Sequence, residues 1–131
     1  MARALTTAAL VLFHNPSCSK SRGALGLLSE RHVDVQVVEY LHETWTRESL
    51  DDLLHKLMPG ETSVNPLIMM RTGDKAFMEM ALNTLNPADT NDRLKLLDAM
   101  VNNPSLIERP IFVHGQRAVI GRPPEKVLEL L

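Results

Sequence analysis

The apolar pattern changes period twice between Ala9 and Tyr40, and this restricts the fold more than any other feature of the chain. Ala9-Leu-Val-Leu-Phe13 is a continuous apolar run, the pattern of a strand buried on both faces, and it stops at the turn-favouring pair Asn15-Pro16. From Ser19 to Arg31 the residues Ala24, Leu25, Leu27 and Leu28 recur at helical spacing, leaving Lys20, Arg22, Glu30 and Arg31 for the solvent side. Val33 to Tyr40 returns to β-branched and aromatic residues and predicts a second strand. A strand, tight turn, helix and strand in this order make a right-handed crossover between parallel strands. The sheet is therefore parallel or mixed and carries a helical layer.

The remainder of the chain separates into a helical block and a closing β-β-α segment. Thr46 to Leu57 predicts a helix with Thr46 as N-cap, Ser49 three residues later in place of the ideal Glu, and Leu50, Leu53, Leu54 and Leu57 on one stripe. Pro59-Gly60 ends it. Val64 to Leu85 predicts two helical pieces broken at Arg71-Thr72-Gly73, and five of the seven methionines lie between Met58 and Met80, which predicts an adaptable Met-filled core. Thr90 to Val101 predicts another helix, stopped by Asn102-Asn103-Pro104. Pro110-Ile-Phe-Val113 and Gln116 to Ile120 predict a hairpin connected at His114-Gly115, and Pro123-Pro124 predicts the start of a final amphipathic helix. This order implies one α/β domain of 131 residues with a thioredoxin/glutaredoxin-like fold. It would hold a mixed four-stranded sheet, flanking helices and a helical insertion of about residues 44–104 between strands 2 and 3.

Composition excludes several classes. A hydrophobic content of 44% with formal net charge -2 is that of neither a disordered chain nor a dedicated nucleic-acid binder with its basic excess. No stretch approaches the roughly 18 to 20 apolar residues of a spanning helix, and the mildly apolar N-terminus reaches His14-Asn15-Pro16-Ser17 too early for a secretory signal. Residues 1–8 read as a loose extension. The single cysteine forms no internal disulfide and suits a reducing cytosol, so a cytoplasmic monomer without nucleic-acid or membrane partners is expected. No cluster of Cys and His residues supplies a metal site.

That cysteine is the centre of the candidate chemistry. Cys18 falls in the turn between the first strand and the first helix, where a thiolate can accept backbone N–H bonds and meet the positive end of the helix. Lys20, Arg22 and His14 bring positive charge or a hydrogen bond nearby. In Cys18-Ser19-Lys20-Ser21 a serine stands where a dithiol motif carries its second cysteine. With no resolving thiol in the chain, any redox cycle must draw on an external one, of which glutathione is the obvious small example. Arg71, Arg109 and Arg122 interrupt apolar or turn-like contexts and offer planar donor sets suited to tetrahedral oxyanions, although spacing alone favours a surface role for each, since nothing in the periodicity makes them converge on Cys18.

The segments His14-Asn-Pro-Ser-Cys-Ser-Lys-Ser-Arg22, Glu39-Tyr-Leu41, Glu108-Arg-Pro-Ile111 and Ile120-Gly-Arg-Pro-Pro-Glu125 together resemble the glutaredoxin-coupled arsenate reductase family, within the thioredoxin-like superfamily and closest to its small arsenate-reductase-like branch. The resemblance covers about residues 9–131. It implies Cys18 as nucleophile, Arg71, Arg109 and Arg122 as the oxyanion-binding trio, and His14 as a residue tuning the thiol. It also implies that Asn15, Ser21 and Arg22 belong to the catalytic loop, and that Pro110 is cis beside the site. The implied activity is reduction of arsenate to arsenite through a Cys18 thiol-arsenate intermediate, with no bound cofactor, glutathione as co-substrate and glutaredoxin as partner. The stretch Arg71-Thr-Gly-Asp-Lys75 departs from the family's Arg-Thr-Lys-Glu or Arg-Gln-Lys-Glu pattern. Two alternatives remain: a glutathione-linked thiol oxidoreductase acting on another substrate, and a regulatory binding domain that keeps the fold without the chemistry.

Overall fold

Strand β1, Leu10–His14, lies in the middle of a four-stranded sheet and organises the first of two units that the chain forms in the computed structural model, which describes residues 9–131. The extension expected at residues 1–8 lies outside the described residues. The first unit holds residues 9–43 and 109–131, and the second holds residues 44–108.

In the first unit β1 leads into helix α1, Ser19–Glu30, and then into β2, Gln36–Glu39, which pairs with β1 in parallel. Strands β3, Ile111–His114, and β4, Arg117–Ile120, form an antiparallel hairpin, with β3 also antiparallel to β1, so the sheet order is β2-β1-β3-β4. This is the mixed sheet expected from the crossover and the hairpin. The strand period of two places Leu12 opposite Phe112 in register and brings both onto the α1 side. There they meet Ala24, Leu28 and Val127 in a fully buried core. Each large apolar side chain in it stabilises the unit by about 1.5–3 kcal/mol.

Three boundaries differ from expectation. The second strand is only four residues long, because the Val33 N–H bonds the Leu28 carbonyl to close the end of α1, and Val33 and Val35 pack on the core from the loop. Tyr40 leaves the strand and begins a short 3-10 turn, Tyr40–His42, with its side chain buried. The hairpin turns on Gly115-Gln116, with Gly115 at φ 64 and His114 still in its strand. The C-terminal segment Pro124–Leu130 is a 3-10 helix, not the amphipathic α-helix expected. The Lys126 N–H reaches back three residues to the Pro123 carbonyl, the 3-10 pattern. Leu131, at the end of the segment, is exposed.

Gly121, which follows β4, is required by close approach. A Cβ built there would stand 2.9 Å from Pro110 Cγ and 3.1 Å from Val127 Cγ1, while the Gly121 N–H donates to the Pro110 carbonyl at 2.8 Å. Gly121→Ala should therefore destabilise the protein by about 1–3 kcal/mol, as overpacking generally does. A thermal midpoint equal to that of the wild type would show that the contact is relieved without strain.

The second unit is built on α2, Arg47–Leu57, packed against α4, Thr90–Asn102. Thr46 and Ser49 make the reciprocal capping box that their spacing implies: the Thr46 hydroxyl accepts from Ser49 N–H and the Ser49 hydroxyl from Thr46 N–H. Leu50, Leu53 and Leu54 face Leu96, Leu97 and Met100 in the buried layer. The two helices are joined by the Arg47–Asp98 fork and by Arg93, which bonds both Asp51 and the Val64 carbonyl.

Between them the two expected helical pieces are mostly irregular. A 3-10 turn, Pro66–Met69, is capped by Asn65; Met70 then bridges Ile107 as an isolated β-pair. Helix α3, Lys75–Glu79, is only five residues long, capped by Asp74 and stopped by Ala81 in the left-handed region at φ 55. The methionines divide accordingly: Met69 and Met70 are buried, whereas Met58, Met78 and Met80 are exposed and do not form the expected core.

His55 in α2 gives this unit a pH-dependent tie. Its Nδ1 lies 2.8 Å from the Asp51 carbonyl and its Nε2 3.4 Å from the Thr62 carbonyl, so only the imidazolium can donate to both. The Asp51 carbonyl, with the Thr62 carbonyl and the Asp51 charge, holds His55 above its ordinary value against partial burial and the Arg93 charge. A raised folded value stabilises the protein fully below the unfolded value of about 6.5, and this contribution is lost as pH rises through the folded value. The thermal midpoint of His55→Gln should therefore fall below the wild type at acidic pH and converge with it at alkaline pH. A difference that is constant with pH would contradict this assignment.

Candidate active site

The site of the first unit is built on the β1–α1 turn. The Asn15 side chain accepts from the Ser17 N–H at 2.9 Å, and its carbonyl accepts from the Cys18 N–H at 3.0 Å, folding residues 15–18 into a tight loop. Arg22 clasps this loop through Nη1 to the Pro16 carbonyl at 2.9 Å. Ser21 is fully buried beneath it, accepting from the Asn15 N–H at 2.9 Å and lying 2.6 Å from Nδ1 of His14. Of the four residues that the resemblance gives to the loop and its tuning, His14, Asn15 and Ser21 thus form one bonded cluster, and Arg22 holds the same loop at Pro16.

Cys18 is the N-cap of α1 and is partly exposed. No side chain makes a capping hydrogen bond there, as befits a neutral sulfur, which is a weak acceptor. Ionisation changes this. Partial burial opposes the thiolate, but the Ser21 N–H, the Arg109 guanidinium and the Lys20 N–H outweigh it and hold the Cys18 thiol below its ordinary value. Lys20 and Ser21 are the second and third residues of α1, whose N–H groups have no partner within the helix.

Arg109 opens the segment that returns to the sheet and precedes a cis bond to Pro110. Arg122, after β4, directs Nη1 to the Arg109 carbonyl at 3.1 Å and precedes a second cis bond, to Pro123. The structure therefore brings the Arg109 side chain to Cys18 and ties the Arg122 side chain to the Arg109 backbone. Arg71 stands in the second unit, where Nη1 pairs with Asp74 at 2.8 Å and lies 3.5 Å from the Ser105 carbonyl, contacts that any bound anion must compete with.

His14 is buried, and its position below its ordinary value comes first from that burial, then from Arg22, against the opposing charge of Glu39. A positively charged His14 is thus disfavoured. Glu39 faces it because His14 and Glu39 are register partners in the parallel β1–β2 pair, a relation that residue spacing does not disclose. Gly121 is the other residue that sequence reasoning missed; its signal is its place between a strand and Arg122-Pro123.

Such a sheet, with a lone partly exposed thiol at a helix N-cap beside an Arg–cis-Pro bond, is a thioredoxin-like α/β fold carrying a monothiol site. Within that class the chain belongs to the ArsC family, whose model matches residues 13–130. Among its relatives, YfgD of Escherichia coli strain K12 is 45% identical over 121 residues, covering 92% of this chain and 94% of the relative. A protein of Neisseria meningitidis serogroup A named arsenate reductase is 42% identical over 120 residues, covering 92% and 96%. The solved structure of an arsenate reductase from Vibrio cholerae is similar with a TM-score of 0.80 at 39% identity, covering 95% of this chain and 98% of that one. Among the described residues no helix is long and apolar enough to cross a membrane.

Proposed function

We propose that the protein reduces arsenate to arsenite with Cys18 as nucleophile. The observation that carries this reading is the arrangement of Ser21 N–H, Lys20 N–H and Arg109 guanidinium around a partly exposed sulfur, all favouring its thiolate. The arsenate reductase names of relatives at 42% and 39% identity support the choice of substrate.

In the proposed cycle the Cys18 thiolate attacks arsenic, an arsenate oxygen is protonated and leaves as water, and a Cys18–S–As(V) ester forms. Arg109 and Arg122 hold the anion and offset the charge that builds on its oxygens. Glutathione then supplies the second thiol. The Cys18 sulfur and the glutathione sulfur each give one electron to arsenic, the S–As bond breaks, a Cys18–glutathione disulfide forms, and arsenic departs as arsenite in the trivalent state. Glutaredoxin removes the glutathione by thiol exchange and returns the Cys18 thiol. The absence of a second cysteine from the sequence is what assigns the resolving step to external thiols.

Arsenite release measured with arsenate, glutathione and glutaredoxin tests the proposal. The full mixture should turn over continuously, and omission of glutaredoxin should stop the reaction near one arsenite per protein, with the mass of one glutathione added at Cys18. Absence of arsenite from folded protein whose Cys18 is still alkylated rapidly would exclude arsenate as the substrate.

A further inference from the structure

Two polar side chains are buried in the first unit behind the catalytic loop: Ser21 is 0% and His14 6% exposed. The Ser21 oxygen accepts the Asn15 N–H, which leaves its own hydrogen to be placed. His14 Nδ1, at 2.6 Å, is its partner. Were Nδ1 protonated, in either the neutral ring or the imidazolium, the buried hydroxyl hydrogen would face another donor and have no acceptor. That arrangement costs about 1–3 kcal/mol.

We propose that Ser21 is a positioning residue that donates to His14 Nδ1, fixes His14 as the neutral Nε2–H tautomer, and thereby ties the first turn of α1 to the end of β1. His14 then contributes to the site as an uncharged acceptor and not as a cation beside the thiol. The groups facing it agree with this assignment. Burial and Arg22 of α1 disfavour its charged form, and only Glu39 of β2 favours it. The mechanical consequence lies in the same residue: the hydroxyl held by His14 and Asn15 belongs to Ser21, whose backbone N–H supports the Cys18 thiolate. The inference deepens the reading of Cys18 as the working thiol. Its test uses no arsenate, so it succeeds or fails independently of the substrate.

Nitrogen-15 NMR of the wild type above about pH 7 should show neutral His14 with bare Nδ1 and protonated Nε2. The rate of Cys18 alkylation by iodoacetamide at neutral pH, followed with the ultraviolet titration of the thiolate, reads the second half. Ser21→Ala and His14→Ala should each slow alkylation about fivefold to tenfold, the equivalent of one lost hydrogen bond, and move the titration upward. Asparagine offers a non-titrating acceptor near the Nδ1 position, so His14→Asn should recover most of the rate lost in His14→Ala. A proton on Nδ1 in the wild type, or a His14→Asn variant as slow as His14→Ala, would overturn the proposal.

Discussion

Protein carrying Cys18→Ser should form no measurable arsenite, a loss of at least ~10³-fold, because a serine hydroxyl at neutral pH supplies neither a comparable anionic nucleophile nor electrons for arsenic. The loss is separable from folding. Position 18 is the N-cap of α1, and serine is among the preferred N-cap residues, with an oxygen that accepts from the second or third helical N–H better than a neutral sulfur does. The variant should therefore remain folded while being inactive. Thermal melts and arsenite assays on the same preparation check both halves. Residual turnover above about one per cent would mean that the chemistry does not run through Cys18.

The second large effect is expected at Arg109. Its guanidinium favours the Cys18 thiolate both as a donor and as a charge, so Arg109→Ala should raise the Cys18 thiol toward its ordinary value. It should also lower kcat/KM for arsenate by about 10²-fold or more, the usual consequence of deleting a preorganised donor to a developing oxyanion. The truncation leaves the backbone intact, so the Arg122 bond to the residue 109 carbonyl can survive and the variant reports on the side chain alone. Arg109→Lys keeps the charge but not the planar fork, and should recover the thiol titration more fully than the arsenate KM. An unmoved titration in Arg109→Ala would remove Arg109 from the thiolate's surroundings.

The parts legible in the sequence are those set by local period and by chain order. The run ending at Phe13, the helical stripe of Ala24 and Leu28, and the hairpin near Gly115 could be read because each element buries one face of its own. From them followed the position of Cys18 at a strand–helix turn. Misreadings occurred where an apolar residue serves the core without belonging to the element its type favours. Val33 and Val35 look like strand and pack from a loop, while Met78 and Met80 look like core and are exposed. The bond from Ser21 to His14 spans seven positions and depends on the shape of the Asn15–Cys18 loop, which no periodicity reports. Asp74 as the partner of Arg71 similarly depends on the turn that Gly73 opens and on its use as the cap of α3.

Because the N–H groups of Ser21 and Lys20 stabilise the thiolate, proton loss from Cys18 and the stability of the fold are one thermodynamic quantity seen from two sides. The depressed folded value means that this contribution is complete above the unfolded thiol value of about 8.5 and disappears as pH falls through the folded one. Covalent capture of the sulfur, as a disulfide or a thioether, removes the anion and returns those amides to their unsatisfied state. The thiolate form is then the tightest form of this helix terminus, and the proposed cycle passes through forms in which that terminus is looser. In the proposed cycle, loosening while the sulfur carries glutathione would favour access by a second protein's thiol, and re-forming the anion would favour release of that protein.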